Sequence, residues 1–301
     1  MHQNTYYSPL RYPGGKRKLA NFVKLLLRKN RLLDGYYAEP YAGGASVALA
    51  LLFNEYVSRI YINDIDRGIH AFWYCVLNDT EKFCKLIWNT PITMDVWERQ
   101  RKIQVSRSAS PLELAYSTFF LNRTNRSGII SGGVIGGKQQ SGKWKIDARF
   151  NKSELIARIE KIARYKERIF LYNLDAVQFI NNIAVHFPAR SFIYFDPPYF
   201  VKGKSKLYTN FYDEADHVKL ARRISSLSTP WMVSYDNVEP IRNLYAQYRS
   251  LEYGIHYSAQ SRYQGKEVIF FANQLTIPLV DDPVRVKNRD LRQLELAMRI
   301  A

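Results

Sequence analysis

The sequence predicts an α/β protein whose largely parallel sheet begins early in the chain and resumes after a long insertion. Three observations carry that prediction. An apolar run ending at Tyr36-Tyr37-Ala38-Glu39 leads into Pro40-Tyr41-Ala42-Gly43-Gly44, and an apolar helix follows over residues 47–53. A second strand-like run over residues 58–62 closes on Asn63-Asp64. Strand, glycine turn, helix and strand in that order form the repeating unit of a parallel sheet. The same alternation resumes at Ile169-Phe170-Leu171-Tyr172, with further strands expected over residues 191–195, 231–234 and 268–272. The last of these suit an antiparallel finish.

Taken in order, residues 11–30 read as a glycine-containing loop entering a basic, leucine-rich helix. Between residues 75 and 165 the character changes. Helical patterns over 81–88 and 112–121 flank a stretch rich in Gly, Ser, Arg and Lys, and Gly128, Gly132, Gly133, Gly136, Gly137 and Gly142 fall within residues 127–147. That stretch is too long for an ordinary connection and reads as a functional loop or hairpin. Residues 276–301 form a charged, helix-prone tail. The chain holds neither an internal repeat nor a low-complexity tract.

The 301 residues suffice for one large or two modest domains. No apolar run reaches the roughly 18–20 residues of a membrane span, and Met1-His2-Gln3-Asn4-Thr5 lacks a signal pattern, so a cytoplasmic location is expected. Cys75 and Cys84 lack metal-ligand spacing and are expected to be reduced; His70, His217 and His256 are isolated, so no metal is expected. Neither a Ser-His-Asp nor a Cys-His arrangement is legible. Charge is more informative: 44 Lys and Arg against 27 acids give a formal +17. Such a field favours polyanions, nucleic acid first, because each neutralised phosphate releases counterions.

The strongest chemical signal is Asp196-Pro197-Pro198-Tyr199 at the end of an apolar strand. Ligands of open α/β sheets collect at the carboxyl ends of strands. The prolines remove backbone donors and stiffen the turn, leaving carbonyls free to accept. An exocyclic adenine amine is a poor nucleophile because its lone pair is delocalised into the ring. If the Asp196 carboxylate accepts one amine proton and the Pro197 carbonyl the other, that pair is directed at a sulfonium methyl. Tyr199 is suited to stack on the base. A base inside a duplex is out of reach, so it must be flipped out of the stack, and orientation then supplies much of the rate. An Asp-Pro turn alone is commonplace; the four-residue set after a buried strand is not.

Three further signals are weaker singly. Glycines at the turn after Glu39 let the backbone approach a nucleotide-like ligand, and Asp64, at the end of the second strand, suits ribose hydroxyls. Arg11-Tyr12-Pro13-Gly14-Gly15-Lys16-Arg17-Lys18 is either a phosphate cradle or a solvated basic loop; without a preceding strand it is not a P-loop. Asn122, Arg123, Asn125 and Arg126, with Lys138 and Lys143 in the glycine-rich stretch, fit base-edge and phosphate contacts on a groove-entering hairpin, or else a solvated surface loop.

In this order, the motifs resemble the Dam-type family of DNA adenine-N6 methyltransferases, from about Ser8 to Asn273. The pieces are Tyr12-Pro-Gly-Gly-Lys16, Glu39-Pro-Tyr-Ala-Gly-Gly44, Asn63-Asp64-Ile65-Asp66, Asp196-Pro-Pro-Tyr199 and Gly265-Lys-Glu-Val268, with Phe150-Asn151-Lys152 and Asn173-Leu174-Asp175 in support. The resemblance implies a Rossmann-like, seven-stranded class I methyltransferase sheet. Residues 1–74 and 166–275 would form the catalytic domain, and residues 75–165 an inserted, mainly helical target-recognition domain carrying a hairpin. It also implies S-adenosylmethionine as cofactor, bound by Tyr12, Lys16, Glu39, Pro40, Gly43, Gly44, Ser46, Asp64, Asp175 and Asp196, with S-adenosylhomocysteine as product. Catalysis would rest on Asp196, Pro197, Pro198 and Tyr199, and Arg11 would join the DNA-facing residues. Double-stranded DNA is the implied partner of a monomeric enzyme in restriction-modification or epigenetic marking, with a cognate restriction endonuclease in the first case. GATC-reading members carry an aromatic, an asparagine and an arginine after the Asn-Arg pair, where this chain has Arg126, Ser127 and Ser131, so GATC is not implied. The alternatives are a cytosine-N4 methyltransferase, a non-catalytic DNA-binding protein of the same fold, and an RNA substrate.

Overall fold

The computed structural model describes residues 6–11, 16–201, 212–256, 264–289 and 291–293. Tyr12, expected at the cofactor, lies outside them. A short 3-10 turn at Lys16–Leu19 runs into α1 (Ala20–Lys29), whose Phe22, Val23, Leu25, Leu26 and Leu27 are fully buried. Next come β1 (Gly35–Glu39), α2 (Ser46–Phe53) and β2 (Val57–Asn63). Helix α2, Ser-Val-Ala-Leu-Ala-Leu-Leu-Phe, is apolar on every face and buried from Val47 to Leu52, as expected of a helix enclosed by protein.

The insertion is helical: α3 (Arg67–Asn78), α4 (Thr80–Asn89), α5 (Met94–Val105), α6 (Pro111–Thr124) and α7 (Lys152–Ala163). Its expected start, Cys75, falls inside α3. That helix is continuous from its Asp66 cap, which accepts from the Gly68 and Ile69 N–H groups. Helix α6 starts at a capping box of Ser110 and Glu113 with Pro111 in its first turn, and is buried almost throughout. Phe72, Phe83, Phe119, Phe120 and Phe150 join α3, α4, α6 and the start of α7 in one aromatic core. The glycine-rich stretch differs from the expected hairpin. Among the described residues its only ladder contact is an isolated antiparallel bridge, Asn125 to Val134. Successive turns replace the strands, with Gly128, Gly136 and Gly137 at positive φ.

The chain then returns to the sheet with β3 (Ile169–Tyr172), α8 (Ala176–Asn182), β4 (Phe192–Phe195), α9 (Glu214–Ser225), β5 (Trp231–Asp236), α10 (Glu239–Leu244), β6 (Arg249–His256) and β7 (Gln264–Phe271). The sheet has seven strands in the order β3-β2-β1-β4-β5-β7-β6. All pairings are parallel except those of β7, which runs antiparallel to both β5 and β6. Strands β4 and β5 are buried at every residue, and β4 is apolar throughout, the mark of a sheet covered on both faces. Edge strand β6 is not among the expected strands, although Leu251, Tyr253 and Ile255 alternate with its polar residues. The tail is tied to α1: Asn21 donates to the Val286 carbonyl at 2.8 Å, and Asn30 exchanges hydrogen bonds with the Thr276 backbone. No helix among the described residues is long and apolar enough to cross a membrane.

Candidate active site

Strands β3, β2, β1 and β4 are adjacent and parallel, so their carboxyl ends share one edge. An acid lies at or just beyond each: Asp175, Asp64, Glu39 and Asp196. Strand order reverses between β1 and β4, where α/β sheets open a ligand crevice. Glu39 and Asp196 flank that point.

Asp196 follows β4 directly, with its side chain 27% exposed. Its Oδ1 accepts from the Lys16 ammonium at 3.0 Å and from the Ser234 hydroxyl at 2.8 Å, and Ser234 pairs in turn with the Tyr194 hydroxyl at 2.9 Å. Burial pushes the Asp196 carboxyl up, Lys16 pulls it back, and Glu267 adds to the rise. Lys16 is itself buried, 3.3 Å from Glu267 and 2.5 Å from the Tyr199 hydroxyl. Burial opposes its charge, but Asp196 and Glu267 outweigh that and hold the ammonium well above its usual range. One cation thus serves two carboxylates.

Tyr199 is 8% exposed. Its ring lies 4.8 Å from the Lys16 nitrogen, and its hydroxyl donates to Glu267. Tyr253 donates to the other Glu267 oxygen at 2.6 Å. Beyond the motif, the Phe200 and Val201 N–H groups both donate to Asp236, at the end of β5, at 2.9 Å each. Pro197 is buried and Pro198 half-buried; among the described residues no donor reaches the Pro197 carbonyl.

The expected cofactor residues also meet on this edge. Glu39 Oε1 accepts from the Ala48 N–H at 2.9 Å and the Tyr37 hydroxyl at 3.0 Å, and burial pushes its carboxyl up to about 8. Asp64 accepts from the Gly43 N–H at 2.9 Å and the Asp66 N–H at 3.0 Å, and burial pushes it up to about 7. Gly43 is buried at φ 46°, a conformation suited to glycine. Gly44 and Pro40 are buried beside it, and Ser46 opens α2. Asp175 caps α8 through the Val177 and Gln178 N–H groups. Asn63 fastens the three strand ends: its amide donates to the Pro40 and Leu174 carbonyls and accepts from the Leu174 N–H, each at 2.9 Å.

The expected DNA-facing residues divide. Asn122 and Asn125 are 1% and 0% exposed. The Asn122 amide exchanges 2.7 Å bonds with the Arg11 backbone and donates to the Gly128 carbonyl at 2.9 Å. Asn125 accepts from the Trp97 indole at 2.7 Å and donates to the Ile129 and Ile130 carbonyls. Both amides are spent inside the protein as braces, so in this structure neither offers an edge to a base. Arg123 donates to the Arg149 carbonyl at 2.7 Å; burial, with Arg11 and Arg158 close by, lowers its guanidinium to about 9. Arg126, Lys138 and Lys143 are exposed, and Arg11 is half-buried.

Sequence reasoning gave no role to Glu267, Ser234, Tyr253, Asp236 or Asn63. Glu267 lay within a matched motif, next to Lys266 and just before the apolar run from Val268 to Phe271. Asp236 closes an apolar strand just as Asp196 does. Ser234 and Tyr253 carry no comparable signal.

Comparison with known proteins places the chain in a family. A profile of D12 class N6 adenine-specific DNA methyltransferases matches residues 12–262. A curated relative, Type II methyltransferase M.MjaIII of Methanocaldococcus jannaschii, is 23% identical over 232 residues, covering 71% of this chain and 77% of its own. Among solved structures, the rRNA methyltransferase aviRa from Streptomyces viridochromogenes aligns with a TM-score of 0.37 at 14% identity, over 88% of each chain. A conserved hypothetical protein of Streptococcus pyogenes aligns at 0.31 and 10% identity, over 79% of this chain and 85% of that one. The family match spans both the acid edge and the Asp196 motif: the chain belongs to the D12 class of N6 adenine-specific DNA methyltransferases.

Proposed function

We propose that the enzyme takes S-adenosylmethionine at the edge formed by Glu39, Pro40, Gly43, Gly44, Ser46, Asp64 and Asp175, with Tyr12 and Lys16 beside it, and holds a flipped-out adenine against Asp196 and Pro197. Carboxylates at consecutive strand ends suit ribose hydroxyls and an amino group, and the buried Gly43 turn leaves room for close backbone approach. When bound, the cofactor supplies an electrophilic sulfonium methyl. The protein's part is to prepare the amine. Asp196 Oδ1 is engaged by Lys16 and Ser234, which leaves Oδ2 to accept one amine proton while the Pro197 carbonyl accepts the other. That division of the two oxygens is the observation that carries the reading. Asp196 Oδ2 is also the acceptor for the proton the amine sheds, and Lys16 keeps the carboxylate ionised until then. Pro198 stiffens the turn, and Tyr199 stacks on the base from the Lys16 side.

Residues 75–165 take the role of target recognition. Arg11, Arg123, Arg126, Lys138 and Lys143 supply the DNA contacts, and Asn122 and Asn125 hold their backbone in place. The enzyme acts as a cytoplasmic monomer, and a cognate endonuclease reading the same site is the natural partner of a type II system. The test is Asp196→Ala, assayed on duplex DNA with digestion to nucleosides. The wild type should yield N6-methyladenine, and the variant none, while calorimetric binding of S-adenosylmethionine stays within a few-fold. Near-full activity in the variant would falsify the mechanism.

A further inference from the structure

Two of the five tryptophans face solvent, Trp88 at 59% and Trp144 at 60% exposure; Trp73, Trp97 and Trp231 are buried. Among the described residues, only Trp144 of the exposed pair has cations over its ring: Lys143 and Arg149 each lie 5.8 Å from the ring centroid. Its loop is strongly basic. Arg126, Lys138, Lys143, Lys145 and Arg149 stand against one acid, Asp147, over residues 126–149, and all five bases are exposed.

The backbone of the loop that carries Trp144 is braced. Gln140 clasps it from within, donating to the Ile135 and Gly137 carbonyls at 2.8 and 2.7 Å and accepting from the Ile146 N–H at 2.8 Å. Val134 and Ile146 anchor both limbs in the core. Gly136, at φ +86°, packs so closely on the Trp144 backbone that a Cβ there would lie 2.7 Å from the Trp144 carbonyl oxygen. The loop is also tied to the stretch of chain that precedes Lys16. Arg123 holds the Arg149 carbonyl, Asn122 holds the Arg11 backbone, and Arg11 precedes Lys16 by five residues. That is a chain reach of at most about 18 Å.

A solvent-facing aromatic on a braced loop, with two cations near its ring, has the composition of a nucleic-acid contact, in which the ring stacks on a base and the cations take the flanking phosphates. In intact duplex the base faces are covered. Flipping a nucleotide out uncovers the faces of its neighbours, and inserted apolar side chains occupy such openings. We propose that Trp144 stacks on a base face uncovered when the enzyme opens its duplex DNA, with Lys143, Lys145 and Arg149 on the adjoining phosphates. This rests on the reading of the chain as a base-flipping DNA methyltransferase.

The full-length enzyme, Trp144→Ala and Trp144→Phe are compared for methylation kinetics on an unmethylated duplex carrying the site the wild type methylates and for calorimetric cofactor binding. Loss of one aromatic–base stack should raise the KM for DNA of Trp144→Ala about 10- to 100-fold. Trp144→Phe should stay within about threefold, and cofactor binding should be unchanged in both. Gly136→Ala, which displaces the Trp144 backbone, should raise the same KM in the same direction. Independently, DNA should quench tryptophan emission in the wild type and not in Trp144→Phe. A KM for Trp144→Ala within twofold of wild type, or quenching that survives in Trp144→Phe, overturns the proposal. If Trp144→Ala melts early, the fluorescence comparison decides alone. A wild type that methylates no duplex DNA would instead defeat the underlying reading, which the kinetics of the unmodified enzyme report first.

Discussion

Lys16 contacts both Asp196 and Glu267, and the balance among those three groups governs the pH behaviour of the site. Lys16→Met removes the cation that offsets burial, so the Asp196 carboxyl rises and is ionised only at higher pH. The acid limb of the kcat profile should move upward, with kcat at neutral pH falling at least tenfold; an unmoved limb would show that Lys16 does not set the ionisation of Asp196. Glu39 gives a second test. With its carboxyl at about 8 in the folded protein against an ordinary value of 4.5, the folded form keeps a proton that the unfolded chain releases. More protons bound to the folded form means that stability falls as pH rises. The ligand-free protein should therefore lose melting temperature between about pH 4.5 and pH 8 and level off above. Glu39→Gln, which keeps an acceptor for the Ala48 N–H, should flatten that slope.

At the scale of elements, the edge depends on side chains that bind backbone. Asn63 joins the ends of β1, β2 and the turn after β3, and Asp236 fixes the turn after Asp196. Asn63→Ala leaves two carbonyls and an N–H unsatisfied in a buried place, which should cost roughly 2–4 kcal/mol of unfolding free energy. Urea denaturation measures it, and cofactor affinity should fall with it because the Gly43 turn rests on the same strand ends. The elements themselves were largely legible. The strands ending at Glu39, Ile62 and Phe195, the buried helix after Gly44 and the helices over 81–88 and 112–121 follow from apolar runs and their periodicity. Helix α5 and strand β6 did not, because α5 buries few side chains and β6 lies at the sheet's edge. The glycine-rich hairpin became a turned loop, since the Gln140 side chain supplies bonds that a ladder would have made.

Over the whole molecule, a formal charge of +17 makes DNA binding strongly dependent on salt. If about six phosphates are neutralised, affinity for DNA should drop on the order of a thousandfold between roughly 50 and 200 mM salt. Cofactor binding should change little over the same range. Titrations of both ligands across salt check this, and a flat DNA response would show that the positive charge lies away from the binding face. The backbone of Arg11, five residues before Lys16 in the chain, is held by Asn122 of α6. The sheet and helices α3 to α7 share a continuous buried core.

The sequence by itself determined the chemistry. Asp196-Pro197-Pro198-Tyr199, the Gly43-Gly44 turn and Asp64 lie in short segments where residue type and strand position are enough to propose a role. Tertiary structure alone decided which groups surround Asp196, since Lys16, Ser234, Glu267 and Tyr253 come from separate stretches joined only by the sheet order. It also turned Asn122 and Asn125 from expected base readers into buried braces. An asparagine amide serves a base edge and a backbone equally well, and only burial tells which of the two it meets.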